Sequence, residues 1–288
     1  MDTQSLLKKV RKIEIKTRGL SAQVFSGEYH SAFKGRGMAF SEVREYTPGD
    51  DIRTIDWNVT ARFGTPYIKV FEEERELNVV LLVDVSASGL FGTHKQTKKD
   101  LITELCAVLS FSASTNNDKI GVIFFSDKIE KYIPPNKGKT HILRIIRELV
   151  HFTPSNTKTD IAQALKYLTN VVKKKSIVFV ISDFIDSNYF EDAIKIANKK
   201  HDIVALEIYD RSEQEIPQIG LIKLKDFETG EIKWVDSSSK DFQHQLKLNR
   251  VAHDHRLKDM LNKAGVDHVR LRTDQPYIQP LMNMFKRR

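Results

Sequence analysis

Four stretches of the chain run almost unbroken in apolar, largely β-branched residues: LNVVLLVD from residue 77, KIGVIFFS from 119, KSIVFVIS from 175 and DIVALEIY from 202. A strand covered on both faces has no solvated side to keep polar, so such runs predict the inner strands of a parallel sheet. Between them, KQTKKDLITELCAVLSFSAST, THILRIIRELVHF, TDIAQALKYLTNVV and YFEDAIKIANKK carry apolar residues at helical period. Strand and helix alternate, which predicts an α/β architecture: a mainly parallel sheet, helices on both faces, right-handed crossovers.

The remaining pattern adds pieces to that frame. KIEKYIPPN reads as an antiparallel edge strand, since Pro134 and Pro135 would spoil a central one. IGLIKLKDFETGEIKWVD reads as a two-stranded hairpin around Thr229 and Gly230, followed by a helical stretch from Lys240 to Ala264 and a last strand in GVDHVRLRTD. The first 75 residues are polar and turn-rich without long helical period. The expected organisation is a β-rich N-terminal extension, 1–75, packed on a main domain, 76–288, that carries the hairpin as an insertion near 216–236.

Chemistry enters where the apolar runs stop. After VVLLV come Asp84, Ser86 and Ser88, three oxygen-bearing side chains at every second position, with Gly89 and Gly92 expected to permit unusual backbone angles in the turn. PSNTKTDIAQAL places Thr159 and Asp160 at the start of a helix, and FVISDF ends its strand with Ser182 and Asp183. In an open parallel sheet the groups beyond the carboxyl ends of strands gather in one crevice. Asp84, Ser86, Ser88, Thr159 and Asp183 therefore form a candidate all-oxygen set of two carboxylates and three hydroxyls. Hard oxygen donors with little charge suit Mg2+, with Mn2+ and then Ca2+ as alternatives. The competing reading is that Ser, Thr and Asp after strands cap helices and form turns. For Ser182 that reading is preferred, and Ser182 is left out of the set.

Composition narrows the class. Apolar residues make up 40% and charged residues 29%, which excludes a mainly disordered chain. The single cysteine, Cys106, lies in an apolar helical pattern and reads as a buried structural thiol, which suits a reducing compartment. The first residues carry charges where a signal peptide needs an apolar core, and no apolar run reaches the roughly 18 residues needed to cross a bilayer. Together these point to the cytoplasm. The net charge of +8 permits an anionic partner, but the basic residues are scattered as solvated groups, and nucleic acid is not the expected ligand.

Several enzymes are excluded by one residue each. A haloacid-type phosphatase needs a second carboxylate where Ser86 stands. A serine hydrolase elbow needs G-x-S-x-G, which neither Ser86 nor Ser88 has. NKGKTHI lacks the phosphate-loop glycine, since Ile133 occupies that place, and KGRGMAF lacks the last glycine of a dinucleotide fingerprint at Phe40. His253 and His255 would point in different directions on a helix and read as surface residues. In YTPGDDIRTIDWNVTARFG, the residues Asp50, Asp51, Arg53, Asp56, Trp57 and Arg62 read as structural: Pro48 and Gly49 turn the chain, Asp51 or Asp56 pairs with an arginine, and Trp57 packs under the sheet.

The D-x-S-x-S of Asp84, Ser86 and Ser88, with Thr159 six residues before Leu165 and the late Asp183, resembles the metal-ion-dependent adhesion site of von Willebrand factor type A domains. That family has glycine after the last aspartate, where this chain has Phe184. YTPGDDIRTIDWNVTARFGTPYIKVFEEERE before LLVDVSAS, and the segments that follow, are similar to domain-of-unknown-function family fifty-eight from about Arg36 onward. The resemblance implies a von Willebrand factor type A-like fold, and a non-enzymatic module that binds a divalent ion and through it an acidic residue of a protein partner. It also implies work beside a MoxR-type AAA ATPase in assembling or activating other proteins. Many relatives carry membrane segments, so peripheral association with membrane subunits is a further expectation. A nucleic-acid-binding protein and a metal-dependent hydrolase stand as alternatives.

Overall fold

The computed structural model describes residues 39–72, 76–92, 96–152, 158–186, 188–214, 216–225 and 231–288. They divide into two compact units, a small one ending at Leu77 and a large one running from Asn78 to Arg288.

In the small unit, strand β1 (Ala39–Glu45) leads through a single 3-10 turn to helix α1 (Trp57–Phe63), and strand β2 (Tyr67–Glu72) returns antiparallel to β1. Its polar residues are spent locally. Asp50 closes the Thr47–Asp50 turn by accepting the Thr47 N–H at 2.8 Å, and takes a two-pronged contact from Arg44 at 2.9 and 2.7 Å. Asp51 caps the 3-10 turn, and Asp56 caps α1 by accepting the N–H groups of Asn58 and Val59. The structural reading of this segment holds with two corrections. The arginine partner belongs to Asp50 rather than to Asp51 or Asp56, whose cationic neighbour is Lys69 at 3.4 Å. Trp57 opens α1 with its side chain exposed instead of packed, because a helix of seven residues with no buried position has no inner face to receive it.

The large unit is built from strand β3 (Asn78–Asp84), helix α2 (Lys98–Thr115), strands β4 (Lys119–Phe125) and β5 (Ile129–Asn136), helices α3 (Lys139–His151) and α4 (Ile161–Val171) and strand β6 (Ile177–Ser182). Helix α5 (Glu191–Lys200), strand β7 (Asp202–Tyr209), the one-turn α6 (Arg211–Gln214), the hairpin β8 (Leu221–Lys225) and β9 (Ile232–Asp236), helix α7 (Lys240–Lys263), strand β10 (Asp267–Arg272) and helix α8 (Ile278–Arg287) complete it. The six-stranded sheet has the order β10-β7-β6-β3-β4-β5, parallel throughout except for β5.

The predicted strands and helices form within a few residues of their expected ends. β5 is the antiparallel edge that Pro134 and Pro135 require, and Gly121 faces it without a side chain: a Cβ there would lie 2.8 Å from the Pro135 nitrogen. Gly138, in the segment that mimics a phosphate loop, is simply the residue before α3, at φ 98°. Helix α8 is not among the expected elements, although Ile278, Leu281, Met284 and Phe285 recur at helical spacing; Leu281, Met284 and Phe285 are buried, and Phe285 packs edge-on against Phe179 of β6 at 6.5 Å.

Alternate residues of the central strands feed the two faces. Val80, Leu82, Val178 and Val180 pack with α4, α5 and α7, through Leu165, Leu168, Ile194, Leu257 and Leu261. Helix α2 is buried nearly all round from Leu101 to Ala113, Cys106 included, as expected of a helix without a polar face. Each such Val, Leu or Ile contributes roughly 1.5–3 kcal/mol by leaving water. Among the described residues no helix is long and apolar enough to cross a membrane.

Chain order fixes where a site can form. From β3 the chain steps to β4 on one side, while β6 lies on its other side and leads outward to β7. The crevice between β3 and β6 is therefore the topological switch point, where the loops at the carboxyl ends part and leave room for a ligand.

Candidate metal-binding rim

Asp84 is the last residue of β3 and Ser182 the last of β6, on either side of that crevice. The Asp84 carboxylate is buried and fixed from two directions. Its Oδ1 accepts the Ser86 N–H at 2.9 Å, and its Oδ2 accepts the Ser182 hydroxyl at 2.6 Å. Beyond it the chain enters a 3-10 turn, Ala87–Leu90, that sets Ser86 Oγ and Ser88 Oγ 3.0 Å apart. The two glycines behave differently from expectation, since neither adopts a positive φ. Gly92 is needed for close approach, because a Cβ there would meet the Thr97 Cα at 2.5 Å, whereas a Cβ at Gly89 would meet nothing.

Ser182 is a residue that sequence reasoning set aside. Its hydroxyl donates to Asp84 and accepts the Phe184 N–H at 3.0 Å, so it ties the ends of β3 and β6 together. Next to it, Asp183 accepts the Ile185 N–H at 3.2 Å and, through Oδ2, the Lys98 ammonium at 3.0 Å. Lys98 is the first residue of α2, only 1% exposed, and pairs also with Glu213 of α6. Nothing in the local sequence marks Lys98 or Glu213; both belong to the site by folding alone.

Phe184 stands where the motif resemblance expects glycine. Its φ is 55°, in the left-handed region that a bulky residue visits at a cost of order 1–3 kcal/mol. The ring is buried against Phe190 at 6.3 Å in the main core. Burial of about 2–3 kcal/mol offsets the strain. The loop keeps the turn that glycine would allow and adds an anchor.

Thr159 is buried. The segment after it is fastened twice: the Asp160 N–H donates to Ser126 O, just past the end of β4, at 2.9 Å, and the Ile161 N–H donates to Asp186 Oδ2, in the loop after β6, at 2.8 Å. Asp160 itself caps α4 by accepting the Gln163 N–H at 2.8 Å, as its position suggests. The three loops carrying Asp84, Thr159 and Asp183 thus share hydrogen bonds at one end of the sheet. His253, expected on the surface, is half-buried and lines an open cleft of about 210 Å3 with Asp183, Glu207, Tyr209 and Arg250.

The electrostatics of the rim are unbalanced. Burial, reinforced by the nearby Asp183 carboxylate, raises the Asp84 carboxyl above its ordinary range, although the Ser182 and Ser86 hydrogen bonds oppose the shift. Burial alone would lower the Lys98 ammonium, but Asp183 and Glu213 outweigh it and hold its pKa above the usual lysine value. The Asp84 carboxylate takes its hydrogen bonds from the Ser182 hydroxyl and from the backbone and side chain of Ser86, and the Ser86 and Ser88 hydroxyls lie side by side. Among the described residues no group of three or more His, Cys, Asp or Glu side chains could hold a metal ion. A cation at this rim must therefore rest on hydroxyls as well as carboxylates, and the donor set fits a hard dication.

The family described as protein of unknown function DUF58 matches residues 42–256. The chain belongs to the DUF58 family. Uncharacterized protein Rv1480 of Mycobacterium tuberculosis is 26% identical to this DUF58 protein over 286 residues, 98% of this chain and 89% of its own. Among solved structures, an aerotolerance-related membrane protein from Bacteroides fragilis is 14% identical, covers 74% of this chain and 100% of its own, and gives a TM-score of 0.51, which shows the fold alone. The VWA domain of SpRpn10 is matched over 73% of this chain and 95% of its own, at 10% identity and a TM-score of 0.41. The large unit of this DUF58 protein has the von Willebrand factor type A-like fold that the motif resemblance implied.

Proposed function

We propose that this DUF58 protein is a non-enzymatic interaction module that holds a protein partner through a divalent cation. The ligands are Asp84, Ser86, Ser88, Thr159 and Asp183, with Mg2+ the preferred ion and Mn2+ or Ca2+ as alternatives. The observation that carries this reading is the convergence, at the switch point of the sheet, of two buried carboxylates and the side-by-side hydroxyls of Ser86 and Ser88. When bound, the cation supplies an open coordination position for an Asp or Glu of the partner. The protein's own work is positional. Ser182 and the Ser86 N–H aim Asp84, the Phe184 anchor sets the loop that carries Asp183, and the shared hydrogen bonds after Thr159 keep the third loop in register.

A MoxR-type AAA ATPase is the proposed co-worker, with assembly or activation of other proteins as the joint task and membrane subunits as the proposed sites of peripheral attachment. A rim whose buried charge is mainly carboxylate does not favour phosphate, so nucleic acid is not the proposed ligand. The test is calorimetric titration of Mg2+ and Mn2+ into the wild type and Asp84→Ala, followed by capture of a purified MoxR-type ATPase with Mg2+ or with EDTA. Saturable binding lost in Asp84→Ala, and capture lost in EDTA, supports the reading. Equal binding by both proteins, or capture indifferent to chelator, refutes it.

A further inference from the structure

Behind the rim a single ammonium is shared by two carboxylates. Lys98 Nζ reaches Asp183 Oδ2 at 3.0 Å and pairs with Glu213 Oε1, and the side chains are 2% exposed for Lys98, 4% for Asp183 and 17% for Glu213. The ammonium cannot wander. Thr97 and Asp100 form a capping box that fixes the start of α2, and the Lys98 N–H donates to Phe91 O at 2.9 Å. This is a costly place for a cation: it has lost its hydration, and the first turn of a helix favours negative charge. Removing it would leave Asp183 and Glu213 buried without their cation.

Glu213 is held in turn. Its Oε2 accepts the Asp210 N–H at 3.0 Å, and its backbone carbonyl accepts Arg250 of α7 at 2.6 Å. Lys98 therefore has a fixed second acceptor, so Asp183 can turn one oxygen toward the rim without stranding the ammonium. We propose, on the reading of the rim as a divalent-cation site, that Lys98 is a built-in counter-cation that competes for Asp183 and holds the rim's metal affinity down, with Glu213 as the counterweight that draws Lys98 away. A fixed charge beside the final aspartate keeps the ion exchangeable, so that ion and partner carboxylate can leave together. The device makes opposite demands on its two members. Taking away Lys98 frees Asp183 for the ion, while neutralising Glu213 leaves Lys98 leaning on Asp183 alone.

The experiment is Mn2+ titration of the full chain, read by calorimetry and by water-proton relaxation, for the wild type, Lys98→Met, Lys98→Arg, Glu213→Gln and Asp84→Ala. Lys98→Met is expected to bind Mn2+ about tenfold more tightly or better, equivalent to about 1.4 kcal/mol. Lys98→Arg, which keeps the charge, should stay within roughly threefold of the wild type, and Glu213→Gln should bind roughly threefold more weakly or worse. A purely structural ion pair would lower the melting temperature in both neutralised variants and move affinity in the same direction. Unchanged or weaker binding by folded Lys98→Met overturns the proposal. If Lys98→Met fails to fold, Glu213→Gln decides: weaker binding supports, and unchanged or tighter binding overturns. The two readings fail separately, since binding lost in Asp84→Ala but unmoved by Lys98→Met refutes only the counter-cation. No saturable Mn2+ binding by any variant refutes both.

Discussion

Asp50 and Asp84 both stand near a glycine and hydroxyl residues in sequence, yet their carboxyls move in opposite directions. Asp50 lies in an open turn of the small unit, where the Arg44 guanidinium, helped by the Thr47 N–H and hydroxyl, holds its carboxyl down at about 2. Asp84 lies at the end of a buried strand, where lost hydration and the neighbouring Asp183 raise it. The first is a finished interaction: donors face every side of the carboxylate, and it serves the turn it sits in. The second is an unfinished one, because its serine partners supply dipoles but no charge. That difference separates an aspartate that builds local structure from one that retains capacity for a ligand.

The most direct way to break the comparison is to neutralise both groups. Asp84→Ala is expected to abolish divalent-ion binding, while Asp50→Asn leaves it unchanged, both measured by calorimetric titration. Stability should follow the sign of the shifts. A carboxyl whose pKa is raised by folding contributes stability that is fully present below its unfolded pKa and lost as pH rises through the folded value. Asp84→Asn should therefore melt no lower than the wild type at pH 7 in EDTA. For Asp50 the shift is downward, its contribution is present above the unfolded pKa, and Asp50→Asn should melt lower at pH 7. A clear fall in the melting temperature of Asp84→Asn would mean that Asp84 is structural in the same sense as Asp50.

Phe184 sharpens the comparison, because it shows what holding the rim costs. Replacing this buried ring with alanine should cost about 3–5 kcal/mol in denaturant unfolding. Glycine accepts the φ of 55° without strain, so Phe184→Gly should be less damaging than Phe184→Ala by about 1 kcal/mol. That inverts the usual order of the two residues in folded proteins. If alanine proves the milder change, the left-handed turn is not a constraint, and the loop carrying Asp183 is free to choose another shape.

How much of this was legible in the sequence depends on the range over which each residue acts. The inner strands were plain, because burial on both faces leaves a continuous apolar run, and the oxygen residues were plain because they follow directly on those runs. Ser182 and Lys98 were not. Ser182 meets a partner 98 positions away and Lys98 one 85 positions away, so nothing within a few residues of either points to that partner. The Arg44 partner of Asp50 and the exposure of Trp57 were misjudged for the opposite reason: in a unit with little interior, residues satisfy neighbours nearby and aromatic rings need not be buried. The turn of the hairpin, at Thr229 and Gly230, lies outside the described residues.

Buried bases offer a second version of the same contrast. Lys98 stays charged because two carboxylates face it, whereas the buried imidazole of His201 has no hydrogen-bond partner at either ring nitrogen among the described residues, and burial lowers its pKa to about 4. A histidine kept neutral by folding contributes stability that is lost as pH falls below its ordinary value of 6.5, since only the unfolded chain then takes up the proton. Between pH 7 and pH 4 the wild type should lose about 3 kcal/mol more than His201→Leu, by urea unfolding at a series of pH values. Parallel losses would show that the imidazole finds a proton-accepting partner in solution.

The smallest effect concerns Asp56, which tests whether the small unit's acids are as local as their contacts suggest. Asp56 accepts the N–H groups of Asn58 and Val59 at 3.0 and 3.3 Å and faces Lys69 at 3.4 Å, so alanine removes a cap and a weak ion pair together. Asp56→Ala should lower the melting temperature slightly, and less at high salt, where the Lys69 attraction is already screened. Asp56→Asn, which can still accept the two N–H groups, should recover most of the loss. Mn2+ affinity should be the same in all three proteins. A change in that affinity would show that the acids of the small unit and those of the sheet rim belong to one electrostatic system, and the contrast between Asp50 and Asp84 would have to be redrawn as one of degree.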